Sequence, residues 1–100
     1  MAGKKVIFGR LGKNPELRYT SKQEPVCYFS VAETISDQER PYWHNVVVWG
    51  KQAEQASLFL KKGGQVFVRG QNLEREYRTT AGETKKCLDF RADDLGFLTF

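Results

Sequence analysis

Two tryptophans, Trp43 and Trp49, are the residues of this chain whose type and spacing point most directly to a chemical role. Three consecutive valines lie between them, and β-branched side chains fit the pleated surface of a strand better than a helix. Because alternate residues of a strand point to opposite faces, both indoles share one face with Asn45 and Val47. Two flat rings roughly 20 Å apart on one face suit stacking on nucleic-acid bases. Burial in a core or in a subunit contact is the alternative, and this strand alone leaves it open.

The opposite face of the same strand carries the residues that we expect to point towards a core: Tyr42, His44, Val46 and Val48. His44 is the single histidine of the chain, and on this face it is interpreted as a hydrogen-bonded residue. The sequence has no paired carboxylate motif, no glycine-rich phosphate loop and no setting for a nucleophile. An enzyme is therefore the least supported class of function.

Length and composition indicate one domain, residues 1–100, with a modest core. The net charge of +4 is compatible with a polyanionic partner, and 13% aromatic residues in a basic chain is the more informative combination. No apolar run approaches a membrane span, and the first residues lack the apolar stretch of a secretory signal. We therefore expect a cytoplasmic protein without membrane contact.

The two cysteines, Cys27 and Cys87, are isolated, with no Cys/His spacing typical of a metal site. Both lie in strand-like segments, where we expect them to be reduced, buried and apolar. We expect no metal and no cofactor.

The pattern of apolar residues predicts an all-β chain with one helix. The predicted strands cover residues 6–11, with a continuation over 16–20, and then 26–32, 43–50, 65–77 and 84–92. Gly9 in the first strand indicates a bend or bulge. Apolar residues at helical spacing predict a helix over residues 52–62, before Gly63. Five strands with a helix between the third and fourth is the order of an OB-fold barrel.

The fourth and fifth predicted strands form a hairpin whose tip is at residues 80–83. Residues 72–78 are polar enough to project into solvent, so this hairpin is expected to extend beyond the barrel. Tyr77 in such a segment is difficult to explain as a core residue. The residues from Leu95 onwards are expected to form an ordered apolar end.

Several segments, in order and at compatible spacings, resemble the bacterial-type single-stranded DNA-binding protein family. They are residues 9–19 (GRLGKNPELRY), 29–32 (FSVA), 43–51 (WHNVVVWGK) with Ala53 and Glu54, 60–66 (LKKGGQV) and 70–71 (GQ). The resemblance covers nearly the whole chain, from about Lys5 to Leu98. It implies an OB-fold homotetramer, with a homodimer as the alternative, that binds single-stranded DNA without sequence preference and without catalysis.

The resemblance also implies roles for individual positions. The stacking aromatics of the family fall on Trp43, Trp49 (a Phe in many members), Phe59 and Tyr77. Phe59 also lies on the apolar face of the predicted helix, which leaves core packing open for it. Basic positions that match backbone contacts are Lys51, Lys62 and Arg75, with Lys4, Lys5, Arg10 and Arg18 as additions. Positions placed between subunits are His44, Gln65, Phe67 and Gln71.

The chain departs from the family pattern in three respects. Many members carry basic residues where this chain has Asn45, Leu73 and Glu76. The loop over residues 35–41 has no aromatic residue, unless Tyr42 replaces the one often found there. The chain ends at Phe100 without the flexible linker and acidic tip that recruit replication and repair proteins, so these partners are left open. It is either a truncated core or a naturally tailless member.

The leading hypothesis is therefore a sequence-independent single-stranded DNA-binding protein of the bacterial nucleoid, acting in replication, recombination and repair. The alternative is a tailless OB-fold adaptor of a primosome-like replication complex that binds DNA weakly and acts mainly through protein contacts.

Overall fold

A computed structural model of the protein describes residues 4–33 and 40–98. Its elements, in chain order, are β1 (Lys5–Leu11), β2 (Glu16–Tyr19), β3 (Pro25–Glu33), β4 (Tyr42–Trp49), α1 (Lys51–Phe59), β5 (Gln65–Arg78) and β6 (Thr84–Leu98). The predicted all-β class with a helix after the third long strand is confirmed. Most of the loop predicted over residues 35–41 lies outside the described residues.

Five strands are hydrogen-bonded in a closed ring, in the order β1-β5-β6-β4-β3, and β3 pairs with β1 to close it. The pairings are antiparallel except that between β4 and β6, which is parallel. The short β2 adds to the outer edge of β3. This arrangement is consistent with the predicted OB-fold.

Gly9 lies where the pairing partner of β1 changes from β5 to β3. β1 pairs with β5 as far as Arg10, while Arg10 and Leu11 pair with β3. A Cβ atom on Gly9 would lie 2.1 Å from the carbonyl oxygen of Ala32, closer than any side chain tolerates. The glycine predicted as a bend therefore allows the close backbone contact that closes the ring.

The interior of the ring is filled by alternate residues of its strands. The largest fully buried side chains of this core are Ile7, Cys27, Val31, Val46, Val48, Val66, Val68 and Phe90. On β4, His44, Val46 and Val48 are buried, whereas Trp43 and Trp49 on the other face are exposed. The predicted division of this strand into two faces is therefore confirmed, although Tyr42, at its start, remains 53% exposed.

The helix ends three residues earlier than predicted, at Phe59 rather than Lys62. Leu60 has extended backbone angles and a buried side chain. The backbone of Leu11 then bonds to Gly63 and Gly64, at 2.8 and 3.0 Å. These bonds tie the chain to the end of β1, so a further helical turn would break them. Within the described residues, no helix has the length and apolarity needed to cross a membrane.

The hairpin of β5 and β6 extends well beyond the core, as predicted. Its tip is closed by hydrogen bonds from the Thr79 N–H to the Glu83 oxygen, and from the Gly82 N–H to the Thr79 oxygen. Residues 72–78 are exposed, which confirms their predicted projection into solvent.

The last strand was predicted to end at Ala92 but continues to Leu98. A register shift makes this possible, because Gly70 pairs with Ala92 whereas Arg69 pairs with Asp94, which leaves Asp93 as an extra residue. The bulge interrupts the alternating pattern, so the sequence beyond it does not read as the same strand.

The two cysteines differ in environment. Cys27 is fully buried, and burial raises the pKa of its thiol to about 11. Cys87 lies on the hairpin and is only half-buried, so its predicted burial is wrong. The difference follows from position, because β6 has no core beneath it at Cys87. Both thiols are free.

We expect a thiol reagent at mildly alkaline pH to label Cys87 rapidly in the folded protein and to leave Cys27 unmodified. The thiolate is the reacting species, and Cys27 is both inaccessible and protonated. Mass spectrometry of the peptides distinguishes the two sites, and labelling in denaturant is the control that both thiols are present. Equal rates for the two cysteines in the native protein would contradict this placement.

Candidate nucleic-acid interface

The exposed residues of β3 and β4 form the floor of a long groove on the outside of the ring. Trp43 and Trp49 lie at its two ends, 53% and 38% exposed. Between them, Asn45 and Val47 point outwards from β4, and Tyr28 points outwards from β3, opposite Val47. We call this surface the Trp43–Trp49 groove. It consists of depressions that share lining residues from one tryptophan to the other.

One wall of the groove is formed by β2 and the turn that precedes it. Lys13, Asn14 and Glu16 line its middle, and Arg18 lines the part nearest Trp49. Because β2 pairs with β3, Glu16 lies opposite Tyr28 and Arg18 lies opposite Val26. The wall therefore carries two cations and one carboxylate.

The opposite wall is formed by the base of the β5–β6 hairpin. Arg75 and Asp89 line the middle of the groove, and Arg91 joins them near Trp49. The parallel pairing of β4 with β6 places Arg91 opposite Val47. The hairpin thus brings two further cations to the same groove.

Two of these arginines are held by carboxylates and lie over aromatic rings. Arg75 donates from Nε to Oδ2 of Asp89 at 2.6 Å, and this hydrogen bond and charge raise the pKa of Arg75. Its guanidinium carbon is 5.9 Å from the centre of the Tyr77 ring. Such contacts fix the guanidinium beside a ring while leaving its Nη groups able to donate to an anion.

Lys13 and Arg91 are cations of the groove with no ion pair to any residue that the structure describes. Cations without a carboxylate partner can contact a phosphate with no competing interaction to break. The bases of a single-stranded nucleic acid can stack on the aromatic rings of the floor. Its phosphates can bind the cations of both walls.

At the Trp43 end, the indole packs over Gly12, where a Cβ atom would lie 2.4 Å from the ring. Lys5 and Tyr42 line an adjoining depression with Trp43. Tyr42 therefore lies beside the predicted stacking residue. The described residues do not cover most of the loop before it, so its substitution for a loop aromatic stays a prediction.

The predicted DNA contacts are distributed unequally around this groove. Those that line it or adjoin it are Trp43, Trp49, Tyr77, Arg75, Arg18 and Lys5. Lys51 is exposed at the start of α1, two residues beyond Trp49. Lys62 is also exposed, and its backbone N–H donates to the side-chain oxygen of Asn14 in the groove wall, at 2.9 Å.

Phe59, Arg10 and Lys4 lie apart from the groove. Phe59 is 57% exposed and lines a separate depression beside the end of β6, so burial in the core is wrong for its ring. Arg10 points outwards from β1 and donates to the Gly63 oxygen at 3.0 Å. Lys4 pairs with Asp93 at 2.9 Å, and its hydrogen bond and charge lower the pKa of that carboxyl.

Of the predicted interface residues, His44 is already buried within this chain. Its Nε2 lies 3.0 Å from Oε1 of Glu33, and its ring centre is 4.7 Å from that of Tyr42. It also contacts the edge of Phe90. The contacts confirm that it is hydrogen-bonded, and its place between subunits stays a prediction.

Phe67 lies on a second outer surface, formed by β1, the first half of β5 and the end of β6. It pairs with Phe8, and both are exposed, at 39% and 50%, beside Val6 at 59%. We call these three residues the Phe8–Phe67 face. Gln65 borders it, whereas Gln71 lies on the β5–β6 pairing opposite Arg91, towards the groove.

The groove residues missed in the sequence include one aromatic side chain, Tyr28, and two cations, Lys13 and Arg91. Tyr28 had a detectable signal, because Cys27 and Phe29 are its apolar neighbours and alternation sends it to the opposite face. Arg91 became part of the groove only through the pairing of β4 with β6, two strands far apart in the sequence. Local patterns carry no information on that pairing.

Among residues 4–33 and 40–98, no cluster of histidine, cysteine and carboxylate side chains is suited to hold a metal ion.

Residues 3–98 match the model of the Single-strand binding protein family. The chain belongs to this family, whose members bind DNA and catalyse no reaction.

Curated relatives are similar over almost the entire chain. Single-stranded DNA-binding proteins of Neisseria meningitidis serogroups A and B are each 40% identical over 102 residues, which is 95% of this chain and 59% of theirs. Single-stranded DNA-binding protein 1 of Chlorobaculum tepidum is 35% identical over 103 residues, 95% of this chain and 64% of its own length. This chain therefore spans about three-fifths of the length of these relatives.

Proposed function

We propose that this protein binds single-stranded DNA without sequence preference, in the Trp43–Trp49 groove. The observation that carries the proposal is the exposure of both indoles on one outer surface between two walls that bear cations. Family membership and the printed names of the relatives agree with it. The same groove accounts for the absence of base selectivity.

A protein that accepts any sequence uses the features that every nucleotide shares, a π face and a phosphate. Stacking of a base on an aromatic side chain contributes about 1–3 kcal/mol, and lysine and arginine bind the backbone with release of counterions. Bases in a duplex are already stacked on one another. Preference for single strands follows, because only unpaired bases can be turned towards the indoles.

The strand is proposed to run between Trp43 and Trp49 and to continue along the hairpin to Tyr77. Arg75 stands at the junction, because it lines the groove and also lies over the Tyr77 ring. Lys51 and Lys62, both exposed, are proposed to contact the backbone where the strand leaves the groove. Phe59 is more distant, and its proposed stacking requires a path that passes α1.

We infer that the protein acts as a homotetramer, with a homodimer as the alternative. The Phe8–Phe67 face supports self-association, because contiguous exposed apolar side chains mark interaction surfaces. Arg69 and Asp94 border the face, with Nη1 of Arg69 3.7 Å from Oδ2 of Asp94. An apolar centre with a polar rim is typical of protein interfaces. The face lies on β1 and the first half of β5, whereas the groove is formed by β2, β3, β4 and the base of the hairpin, so assembly through the face leaves the groove open.

In the cell, such a protein is proposed to protect exposed strands during replication, recombination and repair, in the cytoplasm and at the nucleoid. Contacts with other replication and repair proteins belong to this proposal. The adaptor hypothesis predicts weak DNA binding, so affinity separates the two.

Trp43→Ala and Tyr77→Ala are each expected to weaken binding of oligo-dT by about fivefold or more, because each removes one stacked base. Fluorescence anisotropy with labelled oligo-dT measures the affinity, at several salt concentrations. The wild-type salt dependence is expected to be steep, as required by several phosphate contacts. Thermal unfolding checks that the variants remain folded.

Tyr19→Ala is the matched control, because Tyr19 is 55% exposed but lies on the face of β2 opposite Arg18. It is expected to bind as the wild type does. Unchanged affinity in both the Trp43 and Tyr77 variants would contradict the proposed groove. Weak binding by the wild type with a shallow salt dependence would favour the adaptor.

Light scattering of the purified protein is expected to give the mass of four chains, alone and with long oligo-dT. Phe8→Ser, in the centre of the Phe8–Phe67 face, is expected to reduce that mass because it removes apolar area from the contact. Leu58→Ser is the control, at an apolar side chain of α1 that is 71% exposed, compared with 50% for Phe8. A wild-type mass of one chain at high concentration would refute the proposed assembly.

A further inference from the structure

Tyr28 is an aromatic residue of the groove floor for which neither the sequence nor the family resemblance assigned a role. It points outwards from β3, and 43% of its side chain is exposed. It pairs with Val47, four residues after Trp43 and two before Trp49. The ring therefore lies between the indoles, on the strand beside theirs.

The position of Tyr28 matters because the two indoles are far apart. Trp43 and Trp49 are separated by six residues of one strand, which is roughly 20 Å. A chain of nucleotides that stacks on both must cross the space between them. On β4 that space is occupied by Asn45 and Val47, which offer no flat ring. Tyr28 supplies one, and it lines both depressions that meet there.

Arg18 lies over the Tyr28 ring, with its guanidinium carbon 5.8 Å from the ring centre. Its Nε and Nη2 both donate to Oε1 of Glu16, at 2.8 and 2.7 Å. The side chains of Arg18 and Glu16 are 66% and 59% exposed. An ion pair between side chains so accessible to water is weak, so a phosphate and a base can replace these contacts.

The charges around Tyr28 complete the nucleotide site. Arg91, which has no ion pair among the described residues, lines the same depression as Tyr28, Arg18 and Trp49. Arg18 and Arg91 therefore place two cations beside the Tyr28 ring.

We propose that Tyr28 is a third base-stacking residue of the groove and that Arg18 leaves Glu16 to bind the phosphate of the nucleotide stacked there. This inference rests on the proposed function. It deepens that function by adding a nucleotide position in the middle of the path and a cation that serves it. Tyr28 receives the base, and Glu16 positions Arg18 when no strand is bound.

The test compares Tyr28→Leu, Tyr28→Phe and the control Tyr19→Leu in titrations with oligo-dT. Leu keeps an apolar side chain at an exposed strand position but removes the ring, whereas Phe retains it. We expect Tyr28→Leu to weaken binding by about fivefold, the lower limit for one base stacked on an aromatic residue. Tyr28→Phe and Tyr19→Leu are expected to bind as the wild type does.

Arg18→Gln tests the proposed phosphate contact. Loss of one phosphate contact to a single strand is expected to reduce the slope of log K against log salt concentration by about 0.7. A photocrosslink from 5-bromouracil in the oligonucleotide to the peptide that contains Tyr28 is expected in the wild type. This crosslink needs no substitution, so it remains informative if a variant unfolds.

Quenching of tryptophan fluorescence by oligo-dT separates this inference from the function on which it rests. Absence of quenching and of binding in the wild type would overturn both. Quenching in the wild type, with unchanged affinity in Tyr28→Leu and no crosslink to Tyr28, would overturn the role of Tyr28 alone. An unchanged salt slope in Arg18→Gln would overturn the phosphate contact.

Discussion

The alternation of side chains along β4 is the constraint on which both the core and the candidate site depend. Val46 and Val48 fill the ring because they point inwards, and this orientation forces Trp43 and Trp49 outwards. A shift of one residue in the pairing with β3 would bury the indoles and expose the valines. Burial of the core thereby holds the indoles exposed, at fixed positions on a paired strand.

The groove combines cations with carboxylates rather than presenting a uniformly basic surface. Arg18 and Arg75 are each held by a carboxylate beside a tyrosine ring, whereas Lys13 and Arg91 have no ion pair among the residues described. A guanidinium fixed beside a ring has lost part of its freedom before a ligand arrives. The same carboxylates compete with phosphate for the guanidinium groups. They therefore lower the affinity for DNA while they hold the arginine side chains in fixed positions.

Much of the fold could be predicted from local sequence. The valines between Trp43 and Trp49 predict the strand and its two faces, and the polar residues 72–78 predict the exposed hairpin. The end of the helix could not be predicted, because it depends on backbone bonds between Leu11 and the two glycines at 63 and 64. The continuation of β6 to Leu98 was hidden by the bulge at Asp93.

The candidate site was predictable only in part, because it too depends on contacts between segments that are distant in the sequence. The individual aromatic residues on β4 have a local pattern, but the groove is assembled from strands that are distant in the sequence. Arg10 and Arg18 look alike as basic residues near apolar ones, and the ring places the first outside the groove and the second in its wall. The two arginines differ only in where their strands pair: β1 and β2 both pair with β3, but in different registers and at different places.

A map of backbone amide chemical shifts during titration with a short oligo-dT tests directly whether DNA lies in the Trp43–Trp49 groove. We expect the largest changes to follow the exposed residues of β3 and β4, including Tyr28 and Trp49, and to continue to Tyr77 on the hairpin. Amides of the Phe8–Phe67 face are expected to change little. Changes concentrated on that face, with none along β3 and β4, would contradict DNA binding in the groove.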